Sequence, residues 1–574
     1  MKLIYILNFF YYEIRSYKAK FLFYVKFFKN IKLLNLLSIF KLSKIKIEYF
    51  RDQSFQIFLK NIRKKYYQEN FIFKKDRILV DLVFEHHFEY TIINLLIAKE
   101  LQKLSNIPVV CLINENDYKN KLISEQFGFK EFIYIKKKNF FIRFFYFIKS
   151  INLFQKFKNE NQFLKYKFEG IEIGKITIEN FFRFHKNLKN FNESFYKCLD
   201  LSKSFLYFST FKKIYKKNKI KYLVLGENQF LPHRMIFNLA LKNKIKVFAR
   251  LGTARRGIKI RTYNHYSERY SNKEKYSKKL VNYFIYEFSK NKKKIEILHS
   301  KQRSLSDIGE ESVWAKKMPK QKKNRKKYYF AKNKKNILIL PHVMIDGLFI
   351  AKWNTYNTPL NWFIETLKII KDIKSVNWII KPHPSEAAYN TDLNAKNIFL
   401  KYTDKNCKHI KLLDQNENLK NFIDKISCII TCHGSSGYEY PSIGIPSITT
   451  ADTKYKNFKC SYEVRTHKKY KSILNNIKNL KKIDKKTRMR AKIYWFVRFG
   501  TSVNMDVLPK MKSQGKMPTN FIEEFNKNLI SNKSLKGSFY DSFKFQFKND
   551  NRHTINLKLL RYLKLKDFNF KNDI

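Results

Sequence analysis

Glycine and proline are scarce in this chain of 574 residues, which contains only 14 and 11 of them. Lys, Asn, Ile, Phe and Tyr are abundant instead, a composition that an AT-rich genome imposes on any protein. Positions that keep glycine or proline against this drift are expected to need their special backbone geometry. Three glycines and two prolines fall between Gly434 and Pro446. This window is therefore the first place to look for a functional site.

Cysteine pairs with metal-ligand spacing and long apolar runs are also missing. The six cysteines form no CxxC pair and no spacing with histidine that suits zinc, and a reducing cytoplasm fits this pattern best. No run reaches the roughly 18 uninterrupted apolar residues of a membrane-spanning helix. Residues 3–12 could pass for the apolar region of a signal peptide, but Glu13 and Arg15 follow without a small-residue cleavage site. We expect this segment to be retained.

Acidic residues are few, with 47 Asp and Glu against 117 Lys and Arg, which gives a formal charge of +70. Such an excess favours a polyanion or an anionic membrane as partner, although genomic drift explains it equally well. Residues 1–75 mix apolar side chains with lysine at helical spacing, most clearly between Phe21 and Lys44. This pattern suits either a helix on the inner face of the cytoplasmic membrane or a helix packed on the protein's own core.

A nucleic-acid-binding protein is the alternative of another class, because the basic residues are interleaved with aromatic ones. These basic residues are spread along the whole chain, however, and no DNA- or RNA-binding motif accompanies them. We therefore expect no nucleic acid partner. The expected location is the cytoplasm, with peripheral contact to an anionic inner membrane as an option.

The length exceeds what one hydrophobic core usually organises, and the chain contains two series of apolar runs that alternate with helical patterns. The first series includes residues 78–84 and 220–225, and the second includes residues 336–340 and 428–431. This alternation predicts parallel sheets with helices on both faces. The expected division is a basic aromatic extension (1–75), a first Rossmann-like domain (76–270), a basic linker (271–335), a second Rossmann-like domain (336–510) and a C-terminal extension (511–574).

Three polar clusters follow predicted strands of the second series, at the sheet edge where ligands collect. The first, PHVMIDG, contains His342 and Asp346, although a loop capped by Asp346 explains it equally well. The second, KPHPSE, contains Lys381 and His383. Prolines on both sides of His383 restrict the backbone and fix the direction of the imidazole, which suits a nucleotide phosphate. A turn with an incidental histidine is the alternative.

The third cluster, TCHGSSGYEY, contains small residues that expose backbone N–H groups at the start of a short helix. Ser435, Ser436 and Gly437 could cradle a phosphate there, because the helix dipole favours an anion. Glu439 could then accept hydrogen bonds from ribose hydroxyls. A plain tight turn is the alternative, and Pro441 requires the helix to be kinked or to begin later.

The run between Ile339 and Phe458, with PHVMIDG, NWIIKPHPSE and HGSSGYEYPSIGIPSI, resembles the C-terminal domain of capsular polysaccharide biosynthesis proteins, a group that includes Kdo-transferase-like glycosyltransferases. The resemblance implies a GT-B fold, in which two Rossmann-like domains face a cleft. It also implies a nucleotide-sugar donor in the second domain and a lipid-linked or polysaccharide acceptor in the first. The donor-binding residues that it implies are His342, Asp346, Lys381, His383, Ser435, Ser436, Gly437 and Glu439.

The catalytic base is expected in the first domain, where Asp81 and Glu85 follow the first predicted strand. An inverting transfer needs such a group to take the acceptor proton while the donor phosphate leaves. We expect no metal, because the chain has no D-x-D pair, and no cofactor other than the nucleotide-sugar substrate. A glycerophosphate-type polymer transferase, a nucleotide-sugar epimerase and a non-catalytic member of a polysaccharide assembly system remain as alternatives.

Overall fold

The computed structural model describes most of the chain. The described residues are 3–13, 53–67, 75–83, 88–185, 193–253, 257–270, 276–305, 333–349, 355–389, 391–403, 407–415, 417, 419, 423–500, 503, 505, 508, 519–530, 538–550, 552–554 and 557. Glu85 and the segment between Phe21 and Lys44 lie outside them.

The first domain is built around a six-stranded sheet in the order β3-β2-β1-β4-β5-β6. All neighbouring strands run parallel except β6, which is antiparallel to β5. The apolar runs predicted at residues 78–84 and 220–225 form β1 and β4, because such runs can be buried on both faces of a parallel sheet. Strands β3 and β6 were not predicted. The strands are β1 (Arg77–Asp81), β2 (Val109–Asn114), β3 (Glu131–Ile135), β4 (Ile220–Leu225), β5 (Lys246–Thr253) and β6 (Gly257–Tyr263).

Helices cover both faces of this sheet, and each face has its own core. Within β1, Ile78 and Val80 belong to one core and Leu79 to the other, as the alternation of side chains along a strand requires. The helices are α1 (residues 3–13), α2 (Gln53–Tyr66), α3 (Phe88–Ser105), α4 (Tyr118–Gln126), α5 (Phe140–Phe154), α6 (Glu160–Lys165), α7 (Ile173–Phe184), α8 (Glu193–Lys217) and α9 (His233–Lys242).

The second domain has the same pattern of strand order, β12-β11-β10-β7-β8-β9, but all six of its strands run parallel. Its strands are β7 (Asn336–Ile339), β8 (Asn377–Ile380), β9 (Ile410–Leu412), β10 (Ile426–Thr431), β11 (Ser447–Thr449) and β12 (Tyr462–Glu463). Its helices are α12 (Pro359–Ile370), α13 (Glu386–Tyr389), α14 (Ala395–Tyr402), α15 (Ser436–Ser442), α16 (His467–Asn475) and α17 (Lys485–Gly500). The predicted fold class, two doubly wound Rossmann-like domains, is confirmed.

The segment predicted as a linker, residues 271–335, contains two helices, α10 (Lys278–Ser289) and α11 (Lys292–Leu305). Phe284 and Phe288 of α10 share a core with Tyr494 and Phe496 of α17. The apolar residues of α10 lie at helical spacing, so this part of the segment packs on the second domain.

The C-terminal extension returns to the first domain. Phe525 of α18 (Thr519–Ile530) and Phe543 of α19 (Ser538–Lys548) lie in the same core as β1. Phe58 of α2 lies in that core too, with its ring centroid 5.3 Å from that of Phe525. The alternative expectation for the N-terminal extension, a helix packed on the protein's own core, therefore holds for α2. None of the helices within the described ranges is long and apolar enough to cross a membrane.

Candidate active site

Both sheets have a switch point, which is the place where the strand order reverses. The chain leaves the two strands beside this point toward opposite edges of the sheet. In the first domain it lies between β1 and β4, and in the second between β7 and β10. Ligands of doubly wound sheets bind at the carboxyl ends of the strands beside this point. The residues that follow β7, β8 and β10 are the three clusters singled out in the sequence.

Three histidines, one from each cluster, meet at the second switch point. The ring centroid of His342 lies 4.4 Å from that of His433 and 5.8 Å from that of His383, with interplanar angles of 70° and 86°. The three loops therefore converge as expected. His433 was not among the predicted site residues, although its place directly after β10 is a signal that could have revealed it.

His383 is held in one tautomer. Its Nδ1 accepts a hydrogen bond of 3.1 Å from the backbone N–H of Ser385, which places the proton of the neutral ring on Nε2. Burial lowers the pKa of His383 to about 3, and nearby His342 and Lys381 act in the same direction. At neutral pH this side chain is therefore an uncharged hydrogen-bond donor.

The other two histidines are also neutral at physiological pH. Burial lowers the pKa of His342, an effect that Asp346 partly offsets. Burial lowers the pKa of His433 well below its usual range, and His342 adds to the effect. Because three imidazoles crowd together, charging any one disfavours charging the others. The cluster can donate hydrogen bonds to phosphate oxygens without carrying a positive charge of its own.

Lys381 supports the loop after β8 from below. Its side chain is buried, and its ammonium donates a hydrogen bond of 3.3 Å to the carbonyl of Gln415. The Gln415 amide in turn donates to the carbonyls of His383 and Pro384, at 2.9 and 3.0 Å. Burial lowers the pKa of Lys381 to about 8. Its contact with a donor phosphate stays a prediction, whereas its contact with this loop is present.

In the glycine-rich turn after β10, Gly437 packs against Tyr455 and the carbonyl of Gly434 accepts hydrogen bonds. A Cβ on Gly437 would lie 1.8 Å from the hydroxyl oxygen of Tyr455, whose hydroxyl donates 2.9 Å to the carbonyl of Gly434. The N–H of Gly437 donates to Gly434 as well. Gly437 thus allows Tyr455 to pack under the turn. Ser435 is the N-cap residue of α15 and Ser436 is its first residue, so their backbone N–H groups lie at the helix end, where N–H groups have no partner within the helix.

Pro441 lies in the last turn of α15, which is seven residues long and neither starts late nor continues beyond Ser442. Proline cannot donate to the carbonyl of Gly437, four residues earlier. That carbonyl accepts instead a hydrogen bond of 2.8 Å from the hydroxyl of Ser447. Glu439 is half-buried in the first turn of the helix. Its contact with a ribose stays a prediction.

Asp346 faces the first domain. Its carboxylate lies 3.3 Å from the guanidinium of Arg183 on α7. The same guanidinium lies over the ring of Tyr389, 4.7 Å from its centroid. One turn earlier on α7, Glu179 accepts a hydrogen bond of 3.3 Å from the backbone N–H of Phe349. Helix α7 therefore contacts the loop after β7, which puts the second switch point beside the first domain.

The first switch point contains a buried aspartate–histidine pair instead of a histidine cluster. Asp81, the last residue of β1, is fully buried and lies 2.5 Å from Nδ1 of His233, the first residue of α9. The other oxygen of Asp81 accepts from the N–H of Val83 at 3.2 Å. This arrangement holds the imidazole of His233 in one orientation. The role of Asp81 as a base on its own stays a prediction.

Further buried charges surround this pair. Arg234 donates to the carbonyl of Asn228 at 3.0 Å, and Arg250 donates to the side chain of Asn94 at 3.3 Å. Burial raises the pKa of Glu179 to about 7, and Arg234 opposes this rise. None of these residues except Asp81 was among the predicted site residues. His233 and Arg234 belong to the motif GENQFLPHR, which is the one local pattern in the sequence that could have indicated them.

The described residues contain no group of three or more His, Cys, Asp or Glu side chains arranged to hold a metal ion. All six cysteines are free thiols, and burial raises the pKa of Cys428 and Cys432 above the usual range. Cys428 lies in β10 and Cys432 directly follows its last residue, and both side chains are buried.

No protein-family model matches the chain, and no curated protein matches its sequence. Similar solved structures include Thermosulfurimonas dismutans KpsC, a beta Kdo 2,4 transferase, with 9% identity and a TM-score of 0.32 over 55% of this chain and 94% of that chain. A Methanocaldococcus jannaschii UDP-GlcNAc 2-epimerase in complex with UDP-GlcNAc and UDP has 15% identity and a TM-score of 0.23 over 74% and 100%. Likenesses of this size carry no argument about chemistry, and the description of the fold stands on the strand orders above.

Proposed function

We propose that this chain is a glycosyltransferase that transfers a sugar from a nucleotide-sugar donor to a growing capsular or other surface polysaccharide. The observation that carries the proposal is the meeting of His342, His383 and His433 at the second switch point. Hydrogen-bond donors that face the carboxyl ends of parallel strands suit a nucleotide diphosphate or monophosphate.

The second domain would hold the donor. The Nε2–H of His383 and the N–H groups of Ser435 and Ser436 would donate to phosphate oxygens, and they would receive the charge that develops as the nucleotide leaves. His342 would line the same cleft. Glu439 would accept hydrogen bonds from the ribose, while Lys381 would hold the loop that carries His383.

The first domain would hold a lipid-linked or polysaccharide acceptor and take its proton. An acceptor hydroxyl oxygen would bond to the anomeric carbon as the bond from that carbon to the phosphate oxygen breaks, and the electron pair would leave with the nucleotide. The proton would pass to His233, which Asp81 orients through the contact of 2.5 Å. Attack from the face opposite the leaving group would invert the anomeric centre. Glu85 is the alternative base.

The transfer would proceed without a bound metal, because fixed hydrogen-bond donors would take the place of a cation at the phosphates. Activity that EDTA abolishes and manganese restores would contradict this part of the proposal. The anomeric configuration of the product, read from its NMR coupling constants, tests inversion separately.

The proposal is tested by incubating the purified full chain with a panel of CMP-, CDP-, UDP- and GDP-sugars, with and without surface-polysaccharide fragments. We expect acceptor-dependent release of the nucleotide from at least one donor, and loss of this release in His383→Ala. The control variant His467→Ala changes a half-exposed histidine at the start of α16 and should keep wild-type activity. Release that is equal in both variants would overturn the proposed site.

Two other activities would use the same phosphate-binding loops, and the same assay separates them when CDP-glycerol is added to the panel. A nucleotide-sugar epimerase would convert its substrate to a new sugar without any acceptor. A glycerophosphate-type polymer transferase would consume CDP-glycerol and none of the nucleotide-sugars. Either outcome would replace the proposed reaction while leaving the phosphate site in place.

A further inference from the structure

Helices α1 and α5 lie side by side on the first domain and bury only one of their faces. The ring of Phe9 is 4.5 Å from that of Phe147, and the ring of Phe10 is 5.5 Å from that of Phe144. Tyr5 and Phe9 share a small core with Phe147 and residues of α8. This packing fixes which side chains of the two helices point away from the protein.

The outward face of this helix pair is apolar. Every exposed residue of α1 in the described range is a large apolar or aromatic one, and the first exposed residues of α5 are of the same kind. Such residues normally point inward on a surface helix, and a contiguous patch of them marks a contact surface. The patch consists of Leu3, Ile4, Leu7, Phe10 and Tyr11 of α1 with Phe141, Ile142 and Phe145 of α5.

An ordinary surface helix exposes its charged side chains to solvent, whereas this helix pair turns two of them inward. Glu13 of α1 and Arg143 of α5 form an ion pair that is largely shielded from solvent. The one acidic side chain described on these two helices is therefore neutralised on the inner side. The outward face has no negative charge among the described residues.

Positive charge borders the apolar patch. Lys136 and Lys137 are exposed just before α5. The sequence that follows α1, residues 14–52, contains ten Lys and Arg against two acidic residues. An apolar strip bordered by lysines is complementary to a bilayer surface with anionic headgroups.

From these observations we propose that the face formed by α1 and α5 docks on an anionic lipid bilayer, with its apolar side chains in the interfacial layer and its lysines at the headgroups. The helices lie on the membrane rather than cross it, because α5 has 15 residues and a spanning helix needs about 20. A second copy of the chain suits the face poorly, since each copy carries a formal charge of +70. The inference stands whether or not the proposed transfer reaction is right.

The test is co-sedimentation of the full chain with vesicles of phosphatidylcholine alone or of phosphatidylcholine mixed with phosphatidylglycerol. The double variant Leu7→Glu with Phe145→Glu changes two side chains of the patch, which are 59% and 63% exposed. The matched control, Ile297→Glu with Leu400→Glu, changes two side chains that are 67% and 63% exposed elsewhere and adds the same charge.

We expect the wild type and the control to sediment with the phosphatidylglycerol vesicles, and the patch variant to bind about tenfold or more weakly. Binding should weaken as salt is added, because the lysine contribution is screened. The neutral variant Leu7→Ser with Phe145→Ser should also bind less, which guards against a folding defect caused by the added charge.

Three results would overturn the inference. The first is a wild type that sediments with neither vesicle, and the second is a patch variant that binds as well as the control. The third is a wild type that light scattering shows to be a dimer and that the patch variant converts to a monomer. In that case a second copy, not a membrane, covers the face.

Discussion

The two sheets of this molecule have the same pattern of strand order, but different side chains lie at their switch points. In the first domain, Asp81 and His233 form a buried pair of ionisable groups beside buried arginines. In the second domain, three half-buried imidazoles meet, and burial keeps them neutral. Equal topology thus fixes where a site lies in each sheet, whereas the side chains at the strand ends decide what it can do.

The difference suggests a division of labour. A buried acid held against a histidine can orient and receive a proton, whereas neutral donors in a half-open cleft can hold an anion and let it leave. The two sites also differ in how strongly the fold depends on their side chains. A buried ionisable pair depends on both partners, while a half-exposed neutral ring can be removed with little effect on the fold.

Replacing His233 by Ala should have the largest effect and would sharpen the comparison. If the first switch point takes the proton, transfer should fall by about a hundredfold to ten-thousandfold while nucleotide binding stays unchanged. The measurements are the initial rate of transfer and the nucleotide-induced shift in melting temperature. His409→Ala, which lies on the second domain away from the cluster, serves as the control. Loss of nucleotide binding in His233→Ala would break the proposed division.

Replacing Asp81 by Ala should lower stability strongly, because it leaves His233 buried without its partner and removes the acceptor for the N–H of Val83. Breaking a buried pair in this way costs about 3 to 5 kcal/mol. Urea unfolding measures the loss in the free energy of unfolding. His383→Ala should cost clearly less, since its ring is only half-buried. Equal losses in the two variants would contradict the contrast between the sites.

Gly437→Ala should destabilise the second domain by about 1 to 3 kcal/mol, because its Cβ would overlap the hydroxyl of Tyr455. The double variant with Tyr455→Phe removes the nearest atom of that contact and should lose less than the sum of the two single changes. Thermal or urea unfolding of the four proteins gives the coupling. Additive losses would show that the glycine serves something other than this packing.

The effect of Glu386→Gln depends on pH and should be small only at low pH, where the wild-type carboxyl carries a proton in both the folded and the unfolded state. Burial raises the pKa of Glu386 to about 8, so the folded protein keeps a proton that the unfolded chain releases. This contribution is complete below the unfolded pKa and is lost as pH rises through the folded one. Relative to the variant, the wild type should lose up to about 1.4 kcal/mol per pH unit in that window.

Unfolding free energies of wild type and Glu386→Gln between about pH 5 and pH 8 check this expectation. Glu365→Gln is the matched control, because Glu365 is a more exposed carboxylate that pairs with Lys368 on α12. A difference between wild type and Glu386→Gln that does not change with pH would contradict the burial of this carboxyl.

The second switch point could be predicted closely from the sequence, and the first could not. Apolar runs of four or five residues marked β7, β8 and β10, and the loops after these strands bring three histidines together. His433 does not stand out in the sequence, because the small residues beside it carry the stronger local signal. The role of Gly437 was also invisible, since it depends on Tyr455, which is 18 positions away in the chain.

In the first domain the partners of the site come from distant segments. Asp81 and His233 are 152 positions apart, and no local spacing links them. The packing of α10 and α19 could not be predicted from the sequence either. Lysine-rich sequence made residues 271–335 look like a linker, yet Phe284 and Phe288 are spaced to bury one face of a helix against α17.

The central claim is that the neutral histidine cluster, not the buried pair, binds the nucleotide. Calorimetric titration of CMP, CDP, UDP and GDP onto the wild type, His383→Ala and His233→Ala tests it directly. We predict that at least one nucleotide binds the wild type and His233→Ala equally. The same nucleotide should bind His383→Ala about tenfold or more weakly than it binds the wild type. Equal binding by His383→Ala and the wild type, or no binding of any nucleotide, would contradict it.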